Sequence, residues 1–122
     1  MLFDTTQLAL ERAIEGAGKR HEALAANLAN ANTPGYQRVD VDFHTALTAA
    51  VAGGDESRTA LERLSFAPTA DASAGATRAD GSTVDVDSES AKLAANALEH
   101  QAAVTIAATR ISILKTAMGT GV

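Results

Sequence analysis

Between Leu93 and Met118 the chain carries only three charges, Glu99, Arg110 and Lys115, and its apolar residues fall on every side of a helix drawn through the segment. One set, Leu93, Ala97, His100, Val104, Ala107, Ile111, Leu114 and Met118, recurs in alternating steps of four and three. That spacing is the seam of a coiled coil. A second set, Ala94, Leu98, Ala102, Ile106, Ile113 and Ala117, lies outside the seam. A helix apolar nearly all round must be buried on more than one side. A chain of 122 residues offers little beyond one partner helix to cover it, so the remaining cover must come from other chains.

The partner is at the other end of the sequence. Asp4 can cap a helix by accepting from the Gln7 amide, with Gln7 reaching back as in a capping box and Phe3 against Leu8 as a hydrophobic staple. From there Gln7, Leu10, Ile14, Ala17, His21, Leu24, Leu28 and Ala31 form a second seam of threes and fours. This helix is expected to stop near Asn32, because Pro34 disfavours helical geometry at Thr33 and Gly35 supplies a flexible exit. Gly16 and Gly18 inside it mark either a loss of straightness or close contact with a neighbour. The last helix is expected to start with Asp87 as its cap and to end at Gly119. Aromatic residues are few and tryptophan is absent, so close packing of alanine-rich helices must replace large side chains in the core. The expected fold is mainly α: two long terminal helices paired as an antiparallel coiled coil around an extended, irregular middle.

Four segments follow. Residues 1–35 form the first helix and its turn, and 36–51 an extended stretch and a short helix. In the former of these two parts of 36–51, Arg38 to Phe43 alternates polar with apolar, as in a strand with one packed face. Residues 52–86 read as a flexible insert, poor in large apolar residues except around Leu61 and Leu64, with a short hairpin at Asp80-Gly81. Residues 87–122 form the last helix.

Chemistry is sparse. Cysteine is absent, and His21, His44 and His100 have no near-neighbour metal-ligand spacing, so no metal or cofactor is expected. His21 and His100 occupy seam positions at similar heights in an antiparallel pair, either fixing register or standing as two partly exposed imidazoles. The carboxylate pairs Asp40 with Asp42 and Asp85 with Asp87 read as solvated faces and helix caps. No nucleophile elbow, phosphate loop or catalytic triad spacing appears, so the chain does not read as an enzyme. A net charge of -5 with scattered basic residues argues against nucleic acid. Neither a cleavable secretory signal nor a membrane span is recognisable.

The run Ala26-Asn27-Leu28-Ala29-Asn30-Ala31-Asn32-Thr33-Pro34-Gly35-Tyr36 closely resembles the N-terminal signature of flagellar axial proteins of the rod and hook class. Its continuation through Phe43, and Asp80 to Asp87 leading into a helix with Lys92-Leu93-Ala94 and Asn96-Ala97-Leu98, resemble the FlgB family of proximal rod proteins. The resemblance implies a helical rod subunit, exported by the flagellar type III apparatus without signal cleavage and polymerising across the periplasm. Its implied partners are copies of itself, other rod proteins, and the adaptor, membrane-ring and export-gate components of the basal body. The residues expected to meet neighbouring subunits are Leu10, Ile14, Leu24 and Leu28 on the first helix. At its exit they are Asn27, Asn30, Asn32, Pro34, Gly35 and Tyr36. On the last helix they are Leu93, Leu98, Val104, Ile106, Ile111 and Leu114. The same seams would also suit a soluble coiled-coil adaptor or export chaperone. A membrane-surface helix is disfavoured, since neither helix has a polar face rich in lysine and arginine.

Overall fold

The computed structural model describes residues 4–71, 75 and 77–119. Its frame is a pair of long helices, α1 (Thr5–Ala29) and α4 (Val86–Ala117), packed on each other. Asp4 caps α1 as its sequence predicts, accepting from the Gln7 amide at 2.9 Å. The reciprocal half of the capping box is not made: the Gln7 side-chain oxygen is buried and has no hydrogen-bond partner among the described residues. Phe3, the other half of the expected staple, lies outside those residues. The helix ends at Ala29, three residues before Asn32, because Asn30 turns its side-chain amide onto the Ala26 carbonyl at 2.8 Å. That is the usual competition of a short polar side chain with the helical ladder. Successive turns then lead to Gly35, whose φ of 73° only glycine adopts readily.

At α4 two aspartates compete for the cap, and Asp85 takes it, two residues before the expected Asp87. Its Oδ1 accepts from the Asp87 and Ser88 amides at 3.0 and 3.2 Å, which leaves Asp87 and Glu89 in the first turn. There their charge suits the positive end of the helix dipole. At the far end Gly119 adopts a φ of 72°.

The buried lines depart from the expected seams at identifiable points. On α1, Ala17 and Leu24 are buried and Leu10, Ile14 and Leu28 half-buried, but His21 is exposed and Ala23 and Asn27 are buried instead. On α4, Ala107 is buried while Leu93, His100, Val104 and Leu114 are half-buried, and Ala97 gives way to its neighbour. Asn96 takes the inner position because its amide donates to the mid-helix carbonyl of Ala17 at 2.8 Å.

The middle of the chain builds a small second layer on α1. β1 (Val39–Asp40) pairs antiparallel with β2 (Thr69–Ala70), Val39 opposite Ala70 and Asp40 opposite Thr69. α2 (Phe43–Val51) follows, capped by Asp42. Ala17, Ala23, Val41 and Phe43 make the core, with Val39 and Phe66 packed against it. Phe43 and Phe66 meet edge to face, centroids 6.3 Å apart. Gly16 is what admits Phe43: a Cβ there would stand 2.6 Å from the Phe43 Cβ. The close neighbour signalled by that glycine is thus within the chain.

The stretch expected to be a flexible insert holds more structure than its composition suggests. A 3-10 turn (Gly54–Glu56) leads into α3 (Ser57–Arg63), which buries Leu61 and is tied to α1 by Arg12, donating to the Glu62 carbonyl at 3.1 Å. The Asp80-Gly81 turn forms, with Gly81 at φ 82° and bonds from Gly81 to Arg78 and from Arg78 to Ser82 at 2.9 and 2.8 Å. It does not extend into a hairpin. Its outgoing arm is diverted, as Thr83 donates to the Tyr36 carbonyl and accepts from the Arg38 amide. Among the described residues no helix is long and apolar enough to cross a membrane.

Candidate assembly interface

Where α1, β1, β2 and α4 converge, a buried arginine is surrounded by carboxylates. Arg38 binds Glu89 and Asp71 and reaches Asp40 at 3.0 Å, while Arg20 from α1 holds the other side of Asp40 at 2.9 Å. Burial opposes the charge on Arg38, but its bonds to Glu89 and Asp40 outweigh that effect and raise its pKa. Burial likewise opposes the charge on Asp40, yet Arg20, Arg38 and the Val41 amide together hold its carboxyl below the usual range. Arg20, Asp71 and Glu89 lie far from Arg38 in sequence, and alternation assigned Asp40, two residues away, to solvent. Arginine and acid in an alternating segment read as surface, and nothing local reveals that they share one site.

Asn27 completes the hub from α1. Its Nδ2 donates to the Val39 carbonyl at 2.6 Å and to Glu89 at 3.2 Å, and its Oδ1 accepts from the Val39 amide at 3.0 Å and the Tyr36 hydroxyl at 3.4 Å. The amide is thus spent inside the chain, and both Asn27 and Leu24 are fully buried. Asn30 is also used locally, on Ala26 and Thr33. Asn32, Pro34 and Gly35 are exposed on the turn, and Tyr36 is half-buried beside them. The turn is braced from behind by Asp80, whose carbonyl accepts from the Gly35 amide at 2.8 Å, and by Arg78, which donates to the Ala31 carbonyl at 2.9 Å. At the other end of α1, Arg110 grips Asp4 with both terminal nitrogens. Arg110 first, and the Gln7 amide second, push the Asp4 carboxyl far below its ordinary value.

This bracing leaves one face of α4 turned outward. Leu98, Ile113 and Ile106 are 74%, 63% and 55% exposed, and Ile111 and Met118 are exposed as well. Near Ile106, Ile113 and Leu114 the surface forms a shallow apolar depression. The positions between the large residues on that side are Ala91, Ala95, Ala102, Thr105, Thr109 and Thr116, all exposed and none charged. Water is a poor solvent for such a face. His21 and His100 line one groove between the helices. Among the described residues no group of three histidines or acids is placed to hold a metal ion.

A family model described as flagella basal body rod protein matches residues 11–37, the greater part of α1 with the turn that follows. The chain is 34% identical over 110 residues to flagellar basal body rod protein FlgB of Salmonella typhimurium, covering 79% of this chain and 80% of that one. It is 34% identical over 106 residues to FlgB of Escherichia coli, covering 75% and 76%, and 33% identical over 115 residues to FlgB of Aeromonas hydrophila, covering 87% and 86%.

Proposed function

The chain belongs to the FlgB family of flagellar basal body rod proteins, a structural family and not one of enzymes, and from that membership we propose that it is a subunit of the proximal rod, polymerising helically with its neighbours. One observation carries the assembly reading. The outward face of α4 presents Leu98, Ile106 and Ile113 to solvent with no charge among them, and burial against other rod subunits is what such a face requires. The exposed turn at Asn32, Pro34 and Gly35, with half-buried Tyr36 beside it, is the second contact, with Leu10, Ile14, Leu28, Leu93, Val104 and Leu114 covering what the two helices leave half-open. Leu24 and Asn27 serve from inside, by fixing the turn's position.

The terminal helices form an antiparallel coiled coil in this reading. Asp4 meets Arg110, Ala17 meets Asn96 and Asn27 meets Glu89, so one number falls as the other rises. The chain divides at about residues 35, 51 and 86, the middle segments acting as a brace on the helical frame. The assembled rod transmits torque and encloses part of the export channel, in contact with other rod proteins and with adaptor, ring and export-gate components in the periplasmic space. Export proceeds through the flagellar type III apparatus, without signal cleavage. Deleting the gene, restoring it on a plasmid and imaging basal bodies tests the proposal. Normal rods and swimming in the deletion strain would overturn it.

A further inference from the structure

A groove runs between α1 and α4, above the Asn96 contact that joins them. It encloses about 470 Å³, lined by Gly18, His21 and Glu22 on one side and by Asn96, Ala97 and His100 on the other. It stays open because nothing lies within 4 Å of where a Cβ on Gly18 would stand. Asn96 is buried beneath it. Donation from Nδ2 to the Ala17 carbonyl fixes the orientation of that amide, and its Oδ1 has no hydrogen-bond partner among the described residues. The lining also supplies acceptors in the Glu22 carboxylate and the Gln101 carbonyl. No lysine or arginine lines the groove, and Lys19 meets Glu22 at 3.4 Å from outside it.

The chain also carries one arginine without a use. Arg63, exposed at the end of α3, makes no ion pair or hydrogen bond among the described residues, whereas every other arginine there does. It cannot serve its own groove. α3 is tied to α1 at Arg12, and from Arg12 to His21 is nine residues, roughly two and a half turns, which puts them on opposite faces of the helix. We propose that the groove is a socket for Arg63 of a second copy of this chain. The guanidinium reaches the Glu22 carboxylate, with its stem along Gly18 and Ala97. Socket and arginine lie on different faces, so the contact is head-to-tail and extends into an open row of subunits. The inference rests on the rod reading and adds to it one specific contact.

Charge exchange tests it. Self-association of the full chain is measured by sedimentation velocity over a range of concentrations. Arg63→Glu and Glu22→Arg should each weaken it by roughly tenfold to a hundredfold, the loss expected for a charge-assisted hydrogen bond, and the two together should restore it. Gly18→Leu, which fills the groove, should weaken it in the same range while melting no lower than the parent. Both charge positions are exposed, so unchanged melting curves verify the folds. Parent-like association of Arg63→Glu, or a double variant no better than the singles, overturns the proposal. A parent chain that stays monomeric but restores swimming to the deletion strain also overturns it and leaves the rod reading standing. Failure of the parent to restore swimming counts against the rod reading instead.

Discussion

Two glycines two residues apart on α1 should respond to alanine with opposite signs. At Gly16 a Cβ would lie 2.6 Å from the Phe43 Cβ and 2.7 Å from its Cγ, distances at which something must move. The ring cannot simply swing away. Phe43 is buried, stacked on His44 at 4.0 Å and met edge-on by Phe66, and its Cβ is fixed to the first residue of α2. Relief therefore means displacing α2 from α1. Overpacking costs about 1–3 kcal/mol, and about 2–3 kcal/mol where a whole element must shift, while the gain in helix propensity from glycine to alanine offsets about 1 kcal/mol of it. The expected net loss for Gly16→Ala is about 1–2 kcal/mol, or a fall of about 4–8 °C in Tm for a chain of this size. Gly18→Ala meets nothing within 4 Å, so only the propensity term acts and the melt should rise by about 4 °C. Thermal unfolding followed by circular dichroism at low protein concentration measures both, and Gly16→Ala with Phe43→Leu should recover part of the loss. A Gly16→Ala variant as stable as the parent, or a destabilised Gly18→Ala, would refute the packing argument.

Glu89→Leu should cost about 3–5 kcal/mol in urea unfolding, since it leaves the buried Arg38 and the Asn27 amide without their shared acceptor. Acid should destabilise the chain in a definite window. Asp40 has a folded pKa below the ordinary value of 3.8, so its contribution is complete above that value and is lost as pH falls through the folded one. Stability measured from pH 6 downwards should therefore decline below about pH 4, and less steeply in Asp40→Asn. On the outward face, Leu98→Asp and Ile113→Asp should each change unfolding by no more than about 0.5 kcal/mol yet block incorporation into rods. Melts of the purified variants and counts of basal bodies in complemented cells separate the two effects.

The frame was legible in the sequence because each of its parts has a local signature. Asp4 three residues before Gln7, the three-four spacing through Ala17, Leu24 and Ala107, and Pro34-Gly35 all act on the backbone within a few residues of themselves. Choices between near-equivalent letters were not legible. Asp85 and Asp87 are both good caps, and it is Asp85 that accepts from the Asp87 and Ser88 amides. Asn96 displaced Ala97 from the inner line because a hydrogen bond to Ala17 outweighed the apolar pattern. The Arg38 hub was invisible for a more general reason. A charged residue is solvated by default, and two of the three partners of Arg38 lie 33 and 51 residues away. The segment from Ala52 to Ser82 was underestimated because few of its residues are large and apolar, yet Leu61 is buried and Phe66 packs on the core.

The contacts that join α1 to α4 also set when the molecule can close. They span 62, 79 and 106 residues, and closing a loop of about a hundred costs roughly 4 kcal/mol of chain entropy before any surface is buried. A chain lengthening from its N-terminus has synthesised or released nearly three quarters of its 122 residues before Glu89 emerges to meet Asn27. Until then α1 has only its own propensity, and a 25-residue helix containing two glycines is marginal on that alone. Folding is therefore late and governed by the far end, the behaviour of a high-contact-order chain despite its helical content. A chain halted at residue 85 should leave the peptide bonds of α1 open to protease, and one halted after Ala117 should protect them.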